Sequence, residues 1–517
     1  MRINGKISNV AWLIMLLALF MRLPYLQESF WLDEAAQAIE SSRPLSEQLN
    51  ISYDFQPPLL HILTQLALYF GSSEWWLRMV GALIPGLLTI YFTIKIGTKI
   101  ASSQAGLIAG LFLATNPFHI FYSQELRPYA LAGMFGTVSW WFLLQWLDSE
   151  KKEESNSNQI VYIVLSLLGL YSTYLYPFLL LSQCMWVFFT ARQKIIHFGM
   201  SLTTILVGFL PIIPLFFSQL SVGTALRSQL PGWENVVSLS QLSSIPLTLG
   251  KFLFGLIDLE LSVPFILPVL LLLSGLTFLL ITQFSSTSKL KNKSTMLLLF
   301  WILIPLLTSW LVSFWVPVIQ PKRLLFLLPA WLLLAAQVAY PVYKRYQGVL
   351  VPTSPFKEET VKQTNFIAAW FVIAVIIGTQ LTGLFNHFTN PSVRRENWRE
   401  AYQTITATYP AETSVVLFSF TEPFAPWTWY DTLQYPAIST GTYNIEHISD
   451  LDSRIKEVTE YEHVLVFDYL MDLTDPNRRI EKTLNSLGYK ERTTLDFDQI
   501  GFIRVYTRDS AVLGSRQ

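Results

Sequence analysis

The sequence predicts a polytopic α-helical membrane protein that ends in a small soluble α/β domain, and three observations carry that prediction. Of the 517 residues, 52% are hydrophobic and only 14% are charged, against roughly 25% charged in soluble domains. Leu, Ile and Phe recur in blocks of about 15 to 20 residues separated by short charged clusters, the pattern of bilayer-crossing helices. From about residue 388 the blocks stop and short strand-like runs begin. The 36 basic and 36 acidic residues balance, so no net field favours nucleic acid as a partner. The single Cys184 excludes an intrachain disulfide, and no Cys/His zinc spacing occurs.

Taken in order, the chain opens with Arg2 and Lys6 ahead of an apolar run from about Val10 to Phe20. No small-residue cleavage site follows, so the run reads as a retained first span rather than a signal peptide. Lys and Arg on short loops mark the cytoplasmic side, and this sets the N-terminus inside. Spans are expected at about 8–25, 77–95, 104–118, 129–147, two within 159–190, 198–217, 262–283, 295–315, 324–341 and 366–384. That makes about eleven. Each internal loop then carries Lys or Arg, and the C-terminus lies outside. Tyr171–Pro177 supplies the turn between the fifth and sixth spans, because proline disfavours a helical residue before it. The apolar runs Leu59–Phe70 and Ile245–Leu259 are too short to span comfortably and read as interfacial helices.

Two domains are therefore expected: a membrane module over 1–387, with a long first outside loop at 26–76, and an outside α/β domain over 388–517. Within the latter, 414–418, 463–467 and 501–506 read as strands, and 450–458 and 476–487 as helices.

The chemistry centres on Phe30-Trp31-Leu32-Asp33-Glu34, where adjacent carboxylates follow directly on the first span. A carboxylate at a bilayer edge is costly unless it faces a cavity, partner or substrate. Asp33 thus reads as the base of a membrane-embedded transferase, or alternatively as an acidic cap complementing a helix dipole. The topology brings Arg78, Arg127, Lys322 and Arg323 to the same outer boundary, together with Glu125. Outside cations run against the positive-inside bias, which suggests an anionic ligand such as a lipid phosphate. A carboxylate beside such cations can deprotonate a hydroxyl while a phosphate departs. Trp31, Tyr53 and Trp233 are candidates for stacking on a sugar.

The same residues resemble the GT-C glycosyltransferases, in the branch grouping protein O-mannosyltransferases with lipid A aminoarabinose transferases. The resemblance rests on Trp31-Leu32-Asp33-Glu34, Asp54-Phe55-Gln56-Pro57-Pro58-Leu59 and Gly71–Arg78. Asn116-Pro117, Tyr122–Leu131, Gly169–Tyr174, Pro321–Ala330 and Glu396-Asn397-Trp398-Arg399 continue it in order. It implies a polyprenyl-phosphate sugar donor, an inverting displacement and a first-loop acid as base: Asp33, with Glu34 assisting or orienting the acceptor. Arg78, Arg127, Lys322 and Arg323 become donor-phosphate ligands. Glu125, Tyr53, Asp54, His61, Tyr129 and Tyr174 become candidate contacts to sugar or acceptor. The chain departs from many relatives at Tyr174, where they have His, and at Arg323-Leu324, where they have Arg-Tyr. Oligosaccharyltransferases of the superfamily bind a divalent metal through acidic motifs. No second exposed acidic pair of that kind occurs here, so no cofactor and no required metal are expected. The expected partners are the lipid-linked donor, membrane lipid, and a glycan, lipid or protein acceptor. The expected location is a prokaryotic plasma membrane. The reading from a different class is a transporter or flippase for lipid-linked sugars, which would place ionisable groups near the bilayer midplane.

Overall fold

The computed structural model describes residues 8–229, 238–257, 262–286, 289–347 and 356–508. Arg2, Lys6 and Trp233 lie outside these. A helical bundle leads the chain: α1 (Asn9–Arg22), α2 (Leu32–Ser41), α3 (Leu59–Leu68), α4 (Glu74–Ile100), α5 (Ser103–Ala114), α6 (Pro117–Tyr122), α7 (Tyr129–Asp148), α8 (Lys152–Leu170), α9 (Tyr176–Thr190) and α10 (Arg192–Leu226). It continues through α11 (Gln241–Phe254), α12 (Val263–Ser286), α13 (Lys289–Val312), α14 (Leu328–Gln347) and α15 (Phe356–Thr389).

Among the described residues, six helices are long and apolar enough to cross a membrane: α4, α7, α10, and segments of α12, α13 and α15. Eleven spans were expected from sequence. The five expected spans not among these six fall on α8, α14 and three short apolar helices, α1, α5 and α9, of 14, 12 and 15 residues. At 1.5 Å per residue such helices run only ~18–23 Å, short of a ~30 Å hydrocarbon core. The break between α8 and α9 falls at Tyr171–Leu175, as the proline signal predicted, and α3 and α11 occupy the two runs read as interfacial. Helices α4 and α5 approach closely because two glycines meet. A Cβ added at Gly97 would come within 2.6 Å of the Gly106 Cα.

After α15 come α16 (Trp398–Thr408), β1 (Ser414–Phe418), α17 (Ala425–Tyr430), β2 (Ala437–Ser439), β3 (His463–Phe467), α18 (Arg479–Ser486), β4 (Tyr489–Phe497) and β5 (Gly501–Arg508). The sheet order is β2-β1-β3-β5-β4, with β2, β1 and β3 parallel and β5 antiparallel to both β3 and β4. Strand side chains alternate between faces. Val416, Phe418, Leu465 and Phe467 therefore enter one core with Trp398 and Trp427, while Val415, Leu417, Val464 and Val466 enter a second. A sheet covered on both faces explains why β1 and β3 are continuous apolar runs. The 450–458 stretch forms only a short helix at Leu451–Arg454 and a 3₁₀ turn at Lys456–Glu460.

The C-terminal segment is tied to the first loop. Helix α2 packs against both α3 and α17. Arg394 pairs with Glu28 at 3.1 Å and Arg395 with Glu125 at 2.8 Å, and Arg399 pairs with Glu74. The Tyr430 hydroxyl accepts from the Phe30 amide and donates to Glu74, both at 2.8 Å.

Candidate active site

The start of α2 divides the two adjacent carboxylates. Trp31 is the N-cap residue, in extended conformation, and its side chain makes no capping bond; Asp33 and Glu34 fall in the first turn. Successive helical residues point about 100° apart, so the pair separates. Glu34 is wholly buried, whereas the Asp33 side chain is 36% exposed.

Glu34 turns inward onto Arg78. The guanidinium donates to both carboxylate oxygens, at 2.8 and 2.5 Å, and the Leu126 amide donates to Glu34 at 2.7 Å. The remaining Arg78 donors reach the Leu26, Glu28 and Ser29 carbonyls at 3.0, 2.6 and 3.1 Å. All five N–H groups of Arg78 are thereby used within a fully buried site. Burial alone would raise the Glu34 carboxyl, but Arg78 outweighs it and holds it below the usual range. Neither residue offers a free group to a ligand. Their geometry therefore runs against the expected roles of Glu34 at the acceptor and Arg78 at the donor phosphate.

Asp33 faces Arg127. Arg127 donates to the Asp33 carbonyl at 3.4 Å and to the two Asp54 oxygens at 3.1 and 3.4 Å, and its Nε lies 3.9 Å from the Asp33 carboxylate. Behind Asp54 lies His61, 1% exposed, with Nε2 at 3.2 Å from Asp54 and Nδ1 at 2.9 Å from the Gln37 amide. Gln56 donates to Asp54 at 2.5 Å, and Gln219 holds the loop by donating to the Ile51, Asp54 and Gln56 carbonyls. Burial would raise the Asp54 carboxyl, but Arg127 and His61 prevail and hold it well below the carboxylate range. Asp54 and His61 thus support Arg127 rather than open to a ligand. Tyr174 donates to Gln219 at 2.8 Å, one layer further back, and Tyr53 stands 65% exposed, apart from the cluster.

The 3₁₀ helix Pro321–Leu327 before α14 supplies the other cations. Lys322 Nζ lies 5.4 Å from the Tyr129 ring centre and 5.8 Å from that of Trp31. Among the described residues it has no ion pair or hydrogen bond. Burial would lower its ammonium, yet Tyr129, Asp33 and Glu125 raise it, so it stays charged. Arg323 donates through Nη1 to the Pro317 and Val318 carbonyls, and its Nε and Nη2 have no partner among the described residues. Two buried donors beside Asp33, Arg127 Nε and Trp31 Nε1, likewise find no acceptor among the described residues. Glu125 is spent on Arg395, and its second oxygen has no partner among the described residues.

Sequence reasoning passed over Arg395 and Glu396. Glu396 accepts from the Leu32 amide at 3.1 Å, the Trp398 indole at 2.6 Å and the Tyr469 hydroxyl at 2.8 Å. Burial pushes its carboxyl up to about 7, against those hydrogen bonds, with Asp33 adding to the rise. Its only sequence signal was membership of the Glu396–Arg399 motif, which carried no role.

A divalent metal does not suit this donor set. The gap between Asp33 and Asp54 is filled by the Arg127 guanidinium, and among the described residues no three His, Cys, Asp or Glu side chains converge.

The helical bundle with its C-terminal sheet is similar in fold to GT-C glycosyltransferases of known structure. The family model of the protein O-mannosyl-transferase TMEM260 N-terminal domain matches residues 64–197. In overall structure the chain is similar to apo ArnT from Cupriavidus metallidurans, with TM-score 0.57 and 10% identity over 97% of this chain and 98% of that one. ArnT bound to undecaprenyl phosphate gives 0.55 and 11% over 98% and 99%. The Archaeoglobus fulgidus oligosaccharyltransferase complex with Zn and sulfate gives 0.54 and 13% over 97% and 73%. Among curated protein sequences nothing matches.

Proposed function

We propose that the protein is an inverting membrane glycosyltransferase that moves a sugar from a polyprenyl-phosphate donor to an acceptor hydroxyl on the extracytoplasmic face. The observation that carries this reading is one partly exposed carboxylate, Asp33, set among donors that lack acceptors among the described residues: Arg127 Nε, Trp31 Nε1 and Lys322 Nζ. Asp33 takes the proton of the acceptor hydroxyl as its oxygen bonds to the anomeric carbon. The bond from that carbon to the phosphate oxygen breaks on the opposite side, and the electron pair leaves with the polyprenyl phosphate. Lys322 and the open donors of Arg323 stabilise that departing charge. Arg127, anchored by Asp54, orients Asp33. Glu34 and Arg78 form a buried strut beneath the site. Tyr129 packs against Lys322 at the phosphate end. Eleven spans, the six long apolar helices together with α8, α14 and the short α1, α5 and α9 crossing where the bilayer thins around them, put the N-terminus inside and the sheet outside. The fold likeness to ArnT, one structure of which holds undecaprenyl phosphate, supports the donor class.

The test is transfer by purified protein in liposomes offered a panel of polyprenyl-phosphate sugars, with Asp33→Asn alongside. Consumption of one donor, with a loss of about 100-fold or more in the variant, is the result expected of a general base. Equal rates in the two proteins remove Asp33 from the chemistry. Absence of donor binding across the panel removes the transferase.

A further inference from the structure

Helix α2 begins without a cap of its own. The Trp31 side chain makes no capping bond, yet the Leu32 amide is not left without an acceptor, because Glu396 reaches it from 364 residues away. The first amide groups of a helix need acceptors, and a carboxylate there also complements the helix dipole. Glu396 is itself fixed from the other side. The oxygen that caps Leu32 also accepts from Trp398, and its other oxygen accepts from Tyr469. Trp398 is fully buried and stacks on Phe467 of β3, with ring centres 5.4 Å apart. Ser29 donates to the Glu396 carbonyl, and Leu32 packs against the same core.

We propose that Glu396 is a positioning residue that caps α2 in trans, so that the C-terminal sheet domain sets the orientation of Asp33. The chain of contacts runs from Phe467 through Trp398 and Tyr469 to Glu396, then through the Leu32 amide into the turn that carries Asp33. Phe30 is strapped in parallel by Tyr430. The C-terminal domain is then part of the catalytic apparatus, although it supplies no group to the reacting atoms. Burial favours the protonated carboxyl, and a neutral acid still offers the carbonyl oxygen that the Leu32 amide needs. An amide side chain should therefore substitute.

The inference rests on the transferase reading for its kinetic consequence but not for its structural one, so two readouts separate them. In full-length protein, Glu396→Ala is expected to speed hydrogen exchange of the Leu32–Ser41 amides about tenfold, the size of a lost cap, with α3 unchanged, and Glu396→Gln is expected to restore protection. With donor, Glu396→Ala is expected to lower kcat about tenfold at unchanged donor KM, and Glu396→Gln to recover it. Unchanged exchange in Glu396→Ala overturns the cap, whether or not any sugar is transferred. Altered exchange with wild-type kcat in an active enzyme overturns the link to Asp33 while leaving the transferase intact. A Glu396→Gln variant as impaired as Glu396→Ala overturns the capping chemistry.

Discussion

Glu34 and Arg78 form a two-pronged ion pair at 2.8 and 2.5 Å with both side chains fully buried. Asp33, its neighbour in sequence, is the more exposed of the two acids. The pair ties α2 to the start of α4 and, through Arg78, gathers the carbonyls of Leu26, Glu28 and Ser29. Removing one partner strands a buried charge, which costs about 3–5 kcal/mol. Glu34→Ala is therefore expected to lower the thermal midpoint and yield sharply, while Asp33→Asn leaves both near wild type and removes activity. Thermal melts of the two variants in detergent decide it. Equal stability of Glu34→Ala and wild type would return Glu34 to the list of candidates for acceptor binding.

Lys322 bears on the donor. Its ammonium lies over the Trp31 and Tyr129 rings and has no anionic partner among the described residues. A charge-assisted bond to phosphate is worth about 1.5–3 kcal/mol, so Lys322→Ala is expected to raise the Kd for polyprenyl phosphate about 10- to 100-fold. Lys322→Arg should retain most affinity, since the charge and the ring contacts persist. Binding of labelled lipid phosphate to the reconstituted variants is the measurement. Unaltered binding in Lys322→Ala assigns the phosphate to Arg323 alone.

Arg127 works through geometry. Its fork spans the Asp54 carboxylate and the Asp33 carbonyl, and lysine cannot reproduce a fork. Misplacing a catalytic group by about 1 Å can cost 100-fold, and Arg127→Lys is expected to lose 10- to 100-fold in kcat. Asp54→Asn should lose a similar factor, because it frees the same guanidinium. The double variant should fall well short of the product of the two, the signature of residues acting as one unit. Full multiplicativity would mean that the two act on different steps.

Much of this architecture was legible in the sequence for identifiable reasons. Apolar runs reported the long helices, and β1, β3 and β5 were visible because their buried faces demand apolar residues. Strand β4 was missed: Lys490 to Thr494 are exposed at a sheet edge, where no hydrophobic pattern is required. The residues Asp33, Arg127, Lys322 and Arg323 stood out in the sequence because few charges flank the apolar runs. The division of labour among them did not. Asp33 and Glu34 look like a pair in one dimension, and only the helical turn sends them to different environments. Glu34–Arg78, Arg395–Glu125 and Glu396–Leu32 join residues 44, 270 and 364 positions apart, and pattern within a window carries no information about such pairings.

Glu396 also makes a prediction about pH. Its carboxyl rises from 4.5 to about 7 on folding, chiefly through burial, with Asp33 facing it across the α2 terminus and the Tyr469 hydroxyl from the far side. The folded state therefore holds a proton between those values that the unfolded chain releases. Stability from this group is fully present below about 4.5 and is lost as pH rises through about 7. Glu396→Gln carries no titrating group. The difference in thermal midpoint, variant minus wild type, should grow between pH 5 and 8, within the roughly neutral range the group spans. Adding Asp33→Asn removes a neighbouring negative charge, lowers the Glu396 midpoint, and should move the whole effect to lower pH and shrink it. Parallel curves for wild type and Glu396→Gln across that range would mean that Glu396 already titrates like an exposed carboxylate, open to solvent at the start of α2.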